Sequence, residues 1–114
     1  MREPISFETA QHYLWGGNCD GWHLLRCEEL SVIEERMPPG AQEQRHAHTR
    51  ARQFFYVLEG ELTIEIEGEV NRIGARQGLE IAPGEAHQVR NESAADVRFL
   101  VVSSPPAQGD RVAR

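Results

Sequence analysis

The stretch Gly40–Gly60, GAQEQRHAHTRARQFFYVLEG, decides how this chain is read. It sets His46 and His48 two residues apart and follows them with Gln53 and the run Phe54–Leu58. Side chains two apart on an extended strand point to the same face, so both imidazoles look one way. By the same rule Gln53, Phe55 and Val57 share a face of the next extended stretch. Two imidazoles aimed into an otherwise apolar enclosure are costly to bury unless something binds them. A divalent metal ion is the simplest such partner.

Outward from this run the chain reads as short strands. Leu30–Met37 (LSVIEERM) is a strand stopped by Pro38-Pro39-Gly40. Leu62, Ile64 and Ile66 alternate with Thr63, Glu65 and Glu67, and Gly68 then turns the chain back as a hairpin. Short strands follow around Leu79–Ile81 and Ala86–Arg90, and DVRFLVVS (96–103) is apolar enough to be buried on both sides. No segment holds a helical period over three turns. Short strands punctuated by turns roughly every 8–12 residues indicate a sandwich or small barrel. Residues 30–104 form that barrel. Residues 1–29, with Trp15, Trp22 and the turn-like Gly16-Gly17-Asn18, read as a strand or loop arm packing on the barrel or on a dimer partner. Residues 105–114 read as an extended or disordered tail.

Composition bounds the function. A chain of 114 residues with 39% hydrophobic and 26% charged residues suits one domain. A net charge of −6 argues against a nucleic-acid or anionic-membrane surface. All 12 basic residues are arginine, which excludes Schiff-base, pyridoxal-phosphate and P-loop lysine chemistry. Neither a signal-peptide run nor a stretch of membrane-span length is present, so a cytoplasmic location is expected. Cys19 and Cys27 match no zinc or redox spacing and are expected as free thiols.

Two motifs carry a family resemblance. Gly40-x5-His46-x-His48-x4-Gln53-x6-Gly60 resembles the first motif of the cupin superfamily, and Pro83-Gly84-x2-His87-x3-Asn91 resembles the second. The resemblance implies an all-β, cupin-like jelly-roll barrel (a double-stranded β-helix). It also implies a metal held by His46, His48 and His87 with one further residue, Gln53. Strand alternation agrees for His87, which shares a face with Val89 and Asn91. Three neutral imidazoles and one oxygen suit one divalent transition metal (zinc, nickel, manganese or iron) and leave positions open for substrate.

The family's usual glutamate is replaced by Gln53. With neutral ligands only, the ion keeps its full charge and is a stronger Lewis acid for an anionic substrate. A similar three-histidine, one-glutamine set occurs in some cupins acting on unsaturated uronates. The alternative is that Gln53 does not ligate, leaving a three-histidine site like that of cupin dioxygenases. Arg76 stands where the second motif usually opens on glycine.

Further candidates flank the histidines. Arg50 and Arg52 are either a clamp for a substrate carboxylate or surface arginines paired with glutamates, and both readings stand. Arg45 and Arg90 face away by alternation. Glu35 is the candidate general base, on a strand whose parity the sequence leaves open, and Glu43 could act as ligand or base. Tyr56 could be a general acid, although its parity opposite Gln53 favours packing. Phe55, Val57 and Ile64 are expected to line an apolar pocket. His12 and His23 are taken as non-ligands. The expected function is a metal-dependent enzyme on a small, anionic molecule, of isomerase, lyase or dioxygenase type, with sugar acids as one substrate class. The alternative is a non-catalytic module that binds or senses a small ligand. A homodimer is expected, with no nucleic-acid or membrane partner.

Overall fold

A computed structural model describes residues 1–114. Eleven strands and no helix make up the chain: β1 (Gln11–Trp15), β2 (Cys19–Arg26), β3 (Ser31–Met37), β4 (His46–His48), β5 (Arg52–Glu59), β6 (Leu62–Ile66), β7 (Glu69–Ile73), β8 (Gly78–Ile81), β9 (His87–Arg90), β10 (Val97–Ser104) and β11 (Arg111–Ala113). They form a six-stranded sheet, β1-β2-β3-β10-β5-β8, and a five-stranded sheet, β11-β4-β9-β6-β7. The expected all-β barrel is the fold observed. No helix is long and apolar enough to cross a membrane.

Alternation places the core. In β5 the buried residues are Gln53, Phe55 and Val57, and in β10 they are Val97, Phe99, Val101 and Ser103. Antiparallel registry joins them into inward rows, of which Val57–Phe99–Glu35–Gly21–Tyr13 runs across five strands. Leu62, Ile64 and Val89 from the other sheet close the apolar cluster. Burial of this kind stabilises by about 25 cal/mol per Å² of apolar surface, so the rows fix the register as well as the fold.

Two expectations need correction. The stretch 96–103 is buried on one face only, because its other side chains lie on the outer face of the larger sheet. Arg111–Ala113 is no loose tail but a strand antiparallel to the histidine strand β4. The N-terminal segment takes one of the two placements expected for it, packing on the barrel as strands: β2 pairs with β3 from Asp20↔Arg36 to Arg26↔Ser31 and extends the barrel sheet. Cys19 and Cys27 are free thiols, the first buried and the second exposed. Arg76 takes φ 68°, the left-handed conformation a glycine would adopt, and its N–H still reaches the Val57 carbonyl at 2.8 Å.

Candidate metal centre

His46 and His87 sit directly opposite one another on β4 and β9, and His48 lies two residues along β4. All three are buried, with exposures of 4%, 1% and 7% for His46, His87 and His48. One ring nitrogen from each lies within 4.8 Å of the others, so the three could hold a metal ion.

Their other nitrogens are already committed. Nδ1 of His46 donates to the Gln44 carbonyl at 2.8 Å, Nδ1 of His87 to the Glu85 carbonyl at 3.1 Å, and Nδ1 of His48 to the Asp110 carbonyl at 3.3 Å. A carbonyl can only accept, so each Nδ1 bears the proton and each Nε2 presents a lone pair. Nε2 of His46 and Nε2 of His48 then face each other at 3.1 Å, lone pair to lone pair. Something positive between them relieves that contact. A proton does not serve at neutral pH, since burial lowers the His46 pKa to about 4 and likewise lowers those of His48 and His87. A metal ion fits both the donor set and the charge.

A fourth group comes from the opposite sheet. Gln53, on β5, gives its amide N–H to Ser103 Oγ at 3.1 Å, which leaves Oε1 buried with no hydrogen-bond partner. Nε2 of His87 is equally without one. Gln53 lines the same cavity as His46 and His48, and buried acceptors without partners are what a cation site looks like before the cation is counted.

The cavity into which His46, His48 and Gln53 open has a volume of about 240 Å³. Its walls combine His46, His48, Gln53, Phe55 and Val89 with Tyr13, Glu35, Glu43 and Arg111. Glu35 therefore points inward, resolving the parity the sequence left open. Burial raises its pKa to about 7, against the opposing pull of the Tyr13 hydroxyl, which donates to it at 3.2 Å, and of Arg111. Glu43 rises to about 8, first through burial and then through the charge of Glu35. Its carboxylate lies 3.7 Å from Nδ1 of His46 and accepts the Val89 N–H at 3.1 Å.

Other candidates lie elsewhere. Arg50 is exposed, 3.9 Å from the Asp110 carboxylate, and Arg52 pairs with Glu80 on the outer face, so neither guanidinium lines the cavity. Arg45 pairs with Glu65, away from the histidines. Tyr56 stacks near Phe54 on the outer face. Val57 and Ile64 point inward as expected but belong to the sealed core rather than the cavity wall, because alternation specifies a face and not a depth. His12 pairs with Asp20, whereas His23 lines the cavity outside the histidine cluster.

Tyr13, Asp110 and Arg111 were missed. A signal existed for Tyr13 alone. Gly21 lies opposite it in the β1–β2 hairpin, and glycine within a strand marks a close approach.

A two-sheet barrel with inward histidines from β4 and β9 defines a double-stranded β-helix protein with a candidate metal centre. The chain belongs to the cupin domain family, whose model matches residues 33–103. It is 35% identical over 71 residues to the polyketide synthase CurC of Streptomyces cyaneus, covering 62% of this chain but 46% of that protein. The chain thus spans about half the length of that relative. Among solved structures, the polyketide cyclase RemF of Streptomyces resistomycificus superposes with a TM-score of 0.85 at 19% identity, over 99% of this chain and 85% of that one. KdgF from Halomonas sp. superposes with a TM-score of 0.84 at 18% identity, over 95% and 97%. At these identities the two structures speak for the fold alone.

Proposed function

We propose that this cupin is a metal-dependent enzyme of isomerase or lyase type, acting by proton transfer on a small, anionic molecule. The observation that carries the reading is the set of three Nδ1-anchored histidines whose free nitrogens lie within 4.8 Å of one another, with the unpartnered Gln53 Oε1 on the wall that His46 and His48 also line. His46, His48, His87 and Gln53 would hold one divalent transition ion, with zinc, nickel, manganese and iron as candidates. Such an ion supplies Lewis acidity, polarising a carbonyl or carboxylate oxygen.

The chain's own residues supply the rest. Glu35, with a pKa near neutrality, is suited to take a proton from carbon next to a polarised carbonyl and return it elsewhere. Tyr13 holds that carboxyl in one orientation. Arg111, whose guanidinium reaches the Gln44 carbonyl at 3.1 Å, brings positive charge to the wall and favours an anionic substrate. Phe55 and Val89 exclude water from the apolar side. Carboxyls placed for proton transfer favour isomerase or lyase chemistry over dioxygenase chemistry.

A second reading, action on a polyketide, rests on the identity with CurC. Cavity size weighs against it. The volume of about 240 Å³ falls below the roughly 300–1,000 Å³ of pockets for drug-sized ligands, and so favours a smaller substrate. Pairing of two copies belongs to the same proposal. Leu25, Val32, Val102 and Phe54 form one apolar row across the outer face of the larger sheet, which supports it. Light scattering at micromolar concentration tests it, and a monomer removes it.

The enzyme reading is tested by metal analysis and by turnover of sugar acids, 2-oxo acids and 1,3-diketones. About one ion per chain and turnover are expected, both lost in His48→Ala with the barrel retained by circular dichroism. Metal bound without turnover of any of these leaves the binding-module reading in its place.

A further inference from the structure

Two of the three histidines fix their own tautomers and the third does not. His46 and His87 each donate Nδ1–H to the carbonyl two residues earlier in their own segment. His48 donates instead to the carbonyl of Asp110, 62 residues later in the chain. The same carbonyl accepts the Thr49 N–H at 3.3 Å. Asp110 is 7% exposed, and its carboxylate accepts the backbone N–H groups of Arg50 and Ala51, each at 2.8 Å. One residue therefore grips the chain at four consecutive positions, 48 to 51, spanning the crossing from β4 to β5. The next residue, Arg111, pairs with His48 in the β4–β11 ladder. Its guanidinium bonds the Gln44 carbonyl that His46 also uses.

We infer that Asp110 and strand β11 are positioning elements of the metal centre, selecting the His48 tautomer that leaves Nε2 free and aiming it at the common point. The inference rests on the metal reading above for its consequence, but its geometry stands without it. Deprived of that carbonyl, the His48 ring is free to turn and to carry its proton on Nε2. A ligand lone pair is then lost in part of the population. Groups that orient ligating histidines typically contribute about 10–100-fold to metal affinity.

Electrostatics pulls the other way, which makes the experiment decisive. Deleting residues 110–114 removes Asp110 but also Arg111 and Arg114. On charge alone, a cation would bind as well or better after the deletion. Positioning requires the opposite.

The test compares the full chain with the form ending at Gly109 and with Asp110→Ala, which keeps the strand but removes the carboxylate anchor. Zinc affinity is measured by competition with a chromophoric chelator. The tautomers of His46, His48 and His87 are read by long-range ¹H–¹⁵N correlation on the metal-free proteins. Expected are an Nδ1–H His48 in the full chain, loss of that state in the shortened form, unchanged His46 and His87, and zinc affinity about 10–100-fold weaker. Asp110→Ala should move both readouts in the same direction by less, and it decides the matter if the shortened form does not fold. An unchanged His48 tautomer, or zinc binding as tight as in the full chain, overturns the inference. Failure of the full chain to bind zinc while the tautomer still switches removes the metal reading and leaves the positioning intact.

Discussion

The Tyr13 hydroxyl reaches the Glu35 carboxylate at 3.2 Å by lying across a strand that belongs to neither residue. Tyr13, Gly21 and Glu35 occupy one register row on β1, β2 and β3. A Cβ placed on Gly21 would come within 2.1 Å of the Tyr13 ring. The missing side chain is therefore the channel through which an outer strand delivers a hydroxyl to the cavity.

Gly21→Ala should expel the Tyr13 ring and destabilise the protein by about 1–3 kcal/mol, the usual cost of overpacking. In the Tyr13→Ala background the same substitution should cost much less, because nothing remains to be displaced. Urea denaturation of the four proteins measures the coupling. Equal cost in both backgrounds would remove Gly21 from the account.

The buried carboxyls make stability depend on pH. Glu35 titrates near 7 and Glu43 near 8 in the fold, both above their ordinary value of 4.5. Between those limits the folded state binds more protons than the unfolded chain, so stability falls as pH rises through 7 and 8. The histidines act oppositely, His46 lowered to about 4 and His23, His48 and His87 lowered as well, but their effect fades above their ordinary value of 6.5 and only partly offsets the acids. From pH 6.5 to 8.5 the metal-free protein should therefore lose on the order of 1–3 kcal/mol. Glu35→Gln should flatten part of that slope. A urea midpoint independent of pH over this range would contradict the placement of both acids.

Gln53→Glu puts a carboxylate where Oε1 now lacks a partner. Without metal it should destabilise by about 1–3 kcal/mol, the penalty for a buried group left without its partner. Zinc should raise its melting temperature by more than it raises that of the unsubstituted chain. Thermal melts with and without zinc decide; an equal rise in both proteins argues that Gln53 does not ligate.

Arg76 holds φ 68° on the surface with no ion-pair partner, a conformation that costs a side-chain-bearing residue about 1–2 kcal/mol. Arg76→Gly should recover roughly 1 kcal/mol despite the greater entropy of the unfolded glycine. Denaturant midpoints test it. Unchanged stability would mean the turn is not strained there.

How much of this could be read beforehand follows from the range of the interactions. Strand periodicity is local, so the inward aspect of His46, His48, Gln53 and Phe55 was legible. The same rule already separated Arg52 from Gln53, its neighbour on β5, and could have placed it on the outer face. Depth was not legible. Val57 and Ile64 share the inward face with Phe55, yet only the packing of two sheets determines which residues reach the cavity.

Sequence alone determined the all-β barrel, the spacing of the three histidines and the absence of lysine chemistry, because each depends on residues within a strand or on composition. Tertiary structure alone decided that Glu35 faces the cavity, that Tyr13 reaches it over Gly21, and that Asp110 holds His48. Those contacts join residues 22 and 62 positions apart. Registry between strands, set by the burial of whole rows, brings them together, and no pattern within a single strand encodes it.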